Sequence, residues 1–346
     1  MKKSIFYSLS LLIGLILFFI ALKEIGLENL ISALGEVSLI QFLIALGAMF
    51  LAFLIGTLRW KIIIDSQLDK PLCFKDVFIP RVVGFSINYL TPVVFAGGQP
   101  VKAYIVKERN KCSLEKVIIS IILEEAIFLS ILFVFVILGV IFLFTSFNLP
   151  SLLKNIVFLI TFFCSIIFFL FYYRILRKKP DRRGFFTFFI EMLRLDKISA
   201  INNIKEKVAD IEKEIFYFFK KQRKKLILVS FLTVIEILFL ILAYYLIISY
   251  LSPGLNLIEV FSINSLINIV YFIPIPAALG SFEWSQALIF NVFGLSLNTG
   301  IAFSLIVRIL NLILVSIGIL LLVHFEVKTL AEKIGEGIKK LIDIFE

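Results

Sequence analysis

Six stretches of this chain are apolar for long enough to cross about 30 Å of hydrocarbon: Ile5–Leu22, Leu39–Leu58, Val117–Phe144, Leu152–Tyr173, Leu226–Tyr250 and Ile301–Val323. The bilayer core holds no water to satisfy free backbone groups, so each such stretch has to close its own hydrogen bonds as a helix. The composition agrees: 60% of the 346 residues are hydrophobic, 17% are charged, and the mean hydropathy is +1.04. Ile5–Leu22 follows Lys2 and Lys3 and lacks a small-residue cleavage pattern, so it reads as a retained span rather than a signal peptide.

Two more apolar stretches, Val77–Gly98 and Val260–Gly294, are interrupted by Pro and Gly near their middles. A continuous lipid-facing helix tolerates such breaks badly, and both therefore read as re-entrant hairpins. The expected fold is all-α: a polytopic helical membrane protein with about six full spans and two hairpins, eight apolar segments in one domain over 1–346. Lys and Arg cluster in alternate loops, at Lys2 and Lys3, Arg59 and Lys61, Lys102–Lys116, Arg174–Lys225 and beyond Val323, whereas the opposite loops hold only Lys23. The positive-inside preference then places both termini in the cytoplasm and the protein in the cytoplasmic cell membrane. Residues 174–225 form a basic cytoplasmic loop with a helical stretch from Ala200 to Phe219, and 324–346 a short amphipathic tail helix. The basic loop is drawn to anionic lipid head groups, although the topology preference alone would also produce it.

The first hairpin has an arm from Val77 to about Leu90, a break at Thr91-Pro92, and a Gly97-Gly98 turn before a second arm opening with Pro100. At 1.5 Å per residue the first arm covers about 20 Å and stops inside the membrane. The start of the second arm directs unpaired N–H groups and a positive dipole end toward Gly97, Gly98 and Lys102, a cradle for a phosphate. A tight turn with a snorkelling Lys102 is the plainer alternative. In the second hairpin Pro274 and Pro276 end one arm, and Gly280 precedes a helix capped by Ser281 with Glu283 in its first turn, where the helix dipole alone favours an acid. Two broken elements of opposite orientation in corresponding halves point to an inverted-repeat transporter.

Ionisable groups inside the spans are few. Glu124 and Glu125 lie in the third, Glu236 about 16 Å into the fifth, and Arg308 about 13 Å into the sixth. Groups at that depth pair or face water, and Arg308 is expected to pair with Glu124, Glu125 or Glu236. The single histidine, His324, and three scattered cysteines, Cys73, Cys112 and Cys164, offer neither a catalytic triad nor a metal-ligand spacing. No nucleotide-binding signature is present, so no ATP-driven pump and no cofactor are expected.

At these residues the chain resembles the lysylphosphatidylglycerol synthase transmembrane-region, or flippase-like, family. The resemblance rests on Asn88-Tyr-Leu-Thr91-Pro92, on Gly97-Gly98-Gln99-Pro100-Val-Lys102-Ala-Tyr104, on Glu124, on Pro274-x-Pro276-x-x-x-Gly280-x-x-Glu283 and on Arg308, and covers nearly the whole chain. It implies a lipid-translocating domain of the kind found in the multiple peptide resistance factor, without the soluble domain that makes aminoacylated lipid. Two positions depart from the pattern: many members are acidic where Gln99 stands and basic where Glu125 stands. The resulting expectation is a flippase-like protein for an anionic phospholipid or a polyprenyl-phosphate-linked lipid, bound by Asn88, Thr91, Pro92, Gly97, Gly98, Gln99, Lys102, Tyr104, Pro276, Gly280 and Glu283. Two alternatives remain open, a membrane-embedded transferase and a non-catalytic partner of a separately encoded transferase.

Overall fold

The computed structural model describes residues 37–90, 97–147, 151–177, 199–271 and 281–345, with single positions at 28, 35, 184, 187 and 188. Among the described residues the chain is helical, with no strand. Ten helices follow one another among the described residues: α1 (Leu39–Asp65), α2 (Phe74–Leu90), α3 (Gln99–Asn110), α4 (Leu114–Ser146), α5 (Ser151–Arg177), α6 (Ser199–Lys221), α7 (Arg223–Leu251), α8 (Leu257–Tyr271), α9 (Ser281–Val292) and α10 (Leu297–Phe345).

Five helices, α1, α4, α5, α7 and α10, contain stretches long and apolar enough to cross a membrane, and each contains one of the expected spans. The expected span Ile5–Leu22 lies outside the described residues. Both interrupted stretches resolve into two short helices, α2 with α3 and α8 with α9, on either side of segments 91–96 and 272–280, which lie outside the description. Pro100 sits in the first turn of α3, where its missing N–H costs nothing. The tail differs from expectation: α10 runs unbroken for 49 residues from Leu297 to Phe345. No proline interrupts the passage from span to tail, so there is no signal to end the helix.

α1 and α7 form an antiparallel pair, with Arg59 opposite Thr233 and Gly56 opposite Glu236. α10 packs on α2 and α9, and α8 on α4. Apolar side chains such as Phe290, Phe303, Ile247 and Leu143 fill the main core between them. A second cluster joins Ile215 and Phe218 of α6 to Ile119, Leu123 and Ile127 of α4. The apolar stripe of α6 is therefore used in packing on the bundle. α5 stands at the periphery, touching α4 through the stacked rings of Phe133 and Phe168, 4.5 Å apart. Its Phe158, Phe163 and Phe169 are exposed, as a lipid-facing surface requires.

Small residues allow the hairpins to approach closely, the usual route to helix association where lipid is as apolar as leucine. Gly98 at the start of α3 lies against the backbone of Gly84 in α2, and Gly139 of α4 against Ser265 of α8. Polar links tie the helix ends at one side of the bundle: Arg109 to Asp76 at 2.8 Å, Lys116 to Asp69 at 3.1 Å, and the Leu72 amide to Asp65 at 2.9 Å. Gly98→Ala puts a methyl into the Gly84 carbonyl, so it should destabilise the protein by about 1–3 kcal/mol. Gly47→Ala, with open space around it, should be neutral or mildly stabilising. Thermal unfolding of both variants in detergent checks the contrast.

Candidate functional site

Five charged side chains from five helices meet inside the bundle. Arg59 comes from α1, Arg81 from α2, Lys102 from α3, Glu124 from α4 and Glu236 from α7. Counting 1.5 Å per residue, they lie about 9 to 20 Å from the helix ends at 65, 74, 110, 114 and 223. Four of them are buried, with Arg59 and Glu124 side chains only 2% exposed, and Arg81 is partly buried.

Glu124 is the hub. Its Oε1 accepts from Arg59 at 3.2 Å and from Arg81, and its Oε2 accepts from Lys102 at 2.5 Å. Glu236 Oε1 accepts from Arg81 at 3.2 Å, and its Oε2 lies 3.3 Å from Arg59. Gly56 makes room for this pairing, since a methyl at that position would overlap both the Arg81 guanidinium and the Glu236 carboxylate. Aromatic rings back each cation: Trp60 lies 3.8 Å from Lys102 Nζ, Phe128 4.9 Å from the Arg59 guanidinium and Phe53 5.3 Å from that of Arg81. Trp60 is held in turn by its indole N–H donating to Ser120 at 3.1 Å.

Each ion taken from water costs several kcal/mol, recovered only through good pairing. Here three cations face two carboxylates. Glu125, beside them, makes no ion-pair contact among the described residues; its Oε1 accepts from the Gln99 side chain at 2.8 Å. The Nε atoms of Arg59 and Arg81 are buried without a hydrogen-bond acceptor. At contact distance the cluster holds three cations and two carboxylates with two spare guanidinium donors, and the Glu125 carboxylate stands within electrostatic range of Arg59, Arg81 and Lys102.

A second ion pair lies elsewhere. Arg308 of α10 donates through Nε to Glu283 of α9 and is within hydrogen-bonding reach of the Tyr89 hydroxyl at the end of α2. The Phe282 ring lies 5.5 Å from its guanidinium. One turn further along α9, Gln286 is fully buried with neither end of its amide bonded, and Glu283 Oε2 is also without a partner. The expected pairing of Arg308 with Glu124, Glu125 or Glu236 is therefore corrected. α10 packs against α2 and α9, whereas Glu124 pairs with cations of α1, α2 and α3 and Glu236 with those of α1 and α2.

The other expected site residues separate accordingly. Gly98 begins α3 and its carbonyl accepts from the Lys102 amide at 2.9 Å, while the Lys102 ammonium turns inward to Glu124. Gly97 lies beside it at the edge of the described residues. Asn88 and Tyr104 are half-buried on α2 and α3. Thr91, Pro92, Pro276 and Gly280 lie outside the described residues. Arg59 and Arg81 are the members that sequence reading missed. Arg59 stands just past the apolar run ending at Leu58 and passes for an interfacial anchor, because nothing in the run reveals that α1 continues to Asp65. Arg81 carried a usable signal, an ionisable group inside an apolar stretch.

The profile of the lysylphosphatidylglycerol synthase TM region family matches residues 7–318. The chain belongs to that family. A UPF0104 membrane protein of Methanocaldococcus jannaschii is 26% identical over 325 residues, covering 92% of this chain and 94% of that protein. A UPF0104 membrane protein of Methanothermobacter thermautotrophicus is 23% identical over 286 residues, covering 77% and 80%. No solved structure matches the chain significantly. Within this lysylphosphatidylglycerol synthase TM region protein, Gln99 and Glu125 are neighbours. A carboxylate only accepts, so the amide NH2 must face it, and the contact survives with a neutral donor on α3.

Glu124→Gln leaves three buried cations facing Glu236 alone and should destabilise the protein by about 3–5 kcal/mol, read as a loss of folded yield and a lower Tm. The pairing of Arg308 is checked by charge exchange. Arg308→Glu should lower the Tm, and the added Glu283→Arg should restore part of the loss, whereas adding Glu124→Arg should worsen it.

Proposed function

We propose that this protein binds an anionic lipid, a phospholipid or a polyprenyl-phosphate-linked molecule, by its phosphate and moves it between leaflets. The observation carrying this reading is the gathering of three cations at membrane depth with two guanidinium Nε donors left without acceptors. A purely structural network would meet its buried donors, because an unsatisfied polar group in the bundle interior is costly. Here Arg59, Arg81 and Lys102 outnumber Glu124 and Glu236 at contact distance, and two guanidinium Nε donors are unused. A phosphate is the complement of such a cluster, since guanidinium forks match its oxygens and an ammonium adds a point charge.

The broken hairpins supply the movement. Arg81 and Lys102 are the hairpin residues of the cluster, one on each arm, and both are held by carboxylates of the surrounding bundle. A phosphate arriving at the cluster competes with Glu124 and Glu236 for these two side chains. It thereby loosens the charged attachment of α2 and α3 to α1, α4 and α7. The Gly97-Gly98 start of α3 offers backbone N–H groups to the same anion, and the Glu283–Arg308–Tyr89 group with Gln286 offers polar partners to the rest of the head group. Both termini lie in the cytoplasm on this reading, because the ends joined by Arg109–Asp76 and Lys116–Asp69 belong to the basic side.

Reconstitution into vesicles with fluorescent lipids tests the proposal. Arg81→Gln leaves two cations in contact with two carboxylates, so the protein should still fold while losing one phosphate-binding cation. Loss of one charge-assisted contact should slow translocation about tenfold to a hundredfold for Arg81→Gln and for Lys102→Gln. Translocation at the wild-type rate in both variants would sink the phosphate assignment.

A further inference from the structure

A cleft of about 300 Å³ opens between four helices at the same end of the bundle as the charge cluster. α4 supplies Ile127 and Ile131, α5 supplies Tyr172, α6 supplies Phe219 and Lys220, and α7 supplies Ser230. At the cleft the Tyr172 ring of α5 meets the Phe219 ring of α6 edge-on, 6.0 Å between centroids, beside the α6–α7 junction at Gln222. Its walls are not sealed: Tyr172, Phe219 and Ser230 are part-exposed and Lys220 is exposed.

The polarity of the cleft is graded. Lys220 stands at the mouth, near the start of α7, whereas Ser230 lies about 10 Å further along that helix and Ile131 about 26 Å from the start of α4. The mouth belongs to a run from Ile215 to Ile235 that holds Lys220, Lys221, Arg223, Lys224 and Lys225 and no acidic residue. The four of these that flank Lys220 are exposed as well. An occupant must therefore be apolar along its length and anionic at one end. The volume is at the lower limit for a small-molecule pocket, enough for part of one chain and too small for a folded head group inside.

We propose that this cleft is a binding site for an anionic phospholipid of the surrounding bilayer, one acyl chain lying against Ile127 and Ile131 and the head-group phosphate held at Lys220. It is distinct from the buried cluster, although Ile127 follows Glu124 by one turn on α4, and Ser230 precedes Thr233, the partner of Arg59, by one turn on α7. The site requires only a bilayer with anionic lipid and holds whether or not the protein translocates anything.

Native mass spectrometry of the full-length protein, released from nanodiscs of equal phosphatidylglycerol and phosphatidylcholine, tests this. Wild type should retain phosphatidylglycerol in preference to phosphatidylcholine. Lys220→Gln should cut that preference about fivefold, the effect of one basic residue at a charged membrane surface. Ile131→Trp, which fills the cleft, should remove the retained lipid, and Ser230→Leu serves the same purpose if the larger substitution fails to fold. Ile156→Trp, on the lipid-facing side of α5, should change nothing. Arg81→Gln separates the two sites: lipid retained in this variant but lost in Ile131→Trp supports the cleft. Lipid lost in Arg81→Gln but kept in Ile131→Trp and Lys220→Gln overturns it.

Discussion

Glu124 is the side chain on which the interior of this protein turns. One carboxylate accepts from Arg59, Arg81 and Lys102, and thereby joins α1, α2 and α3 to α4 at a depth where none of the three cations could stand alone. Glu236 repeats the arrangement from α7 with the two arginines. Hydrophobic burial gives little preference between helices in lipid, so polar contacts of this kind choose which helices become neighbours. They do so at a cost, because buried ion pairs seldom repay their full desolvation.

The cluster can form only because the backbone lets the elements come close. Gly56 leaves the space in which Arg81 and Glu236 meet, and Gly84 with Gly98 lets the two arms of the first hairpin touch. Lys102 lies one turn into α3 from Gly98, so the same contact that seats the arm also aims its ammonium at Glu124. The second hairpin is served by a separate pair, Glu283 with Arg308, reached by Tyr89 from the end of α2. The two hairpins thus carry charges of their own.

Much of this was legible in the sequence. The apolar runs placed five of the spans, and the prolines and glycines located both hairpins, because run length and backbone chemistry are local properties. Lys102, Glu124, Glu236 and Arg308 were recognisable as ionisable groups within membrane stretches, and Glu283 as an acid in the first turn after Gly280. Arg59 was hidden, since a helix that continues seven residues past its apolar run looks from sequence like one that has already ended. The partner of Arg308 was also out of reach: three carboxylates were plausible by depth, and only the packing of α10 on α9 chose the fourth.

What the sequence by itself determined is the class of molecule: a helical membrane protein of the lysylphosphatidylglycerol synthase TM region family, with broken elements and charges inside its spans. Hydropathy, proline and glycine act through the nearest few residues, and so they can be read in one dimension. Which charges meet is different in kind, because Arg59 and Glu236 are 177 positions apart and come into contact only through the antiparallel pairing of α1 with α7. The tertiary structure alone decided that three cations share two carboxylates and that Arg308 belongs to Glu283. Coulomb energy falls with distance in space, and distance in space is what the chain order leaves open.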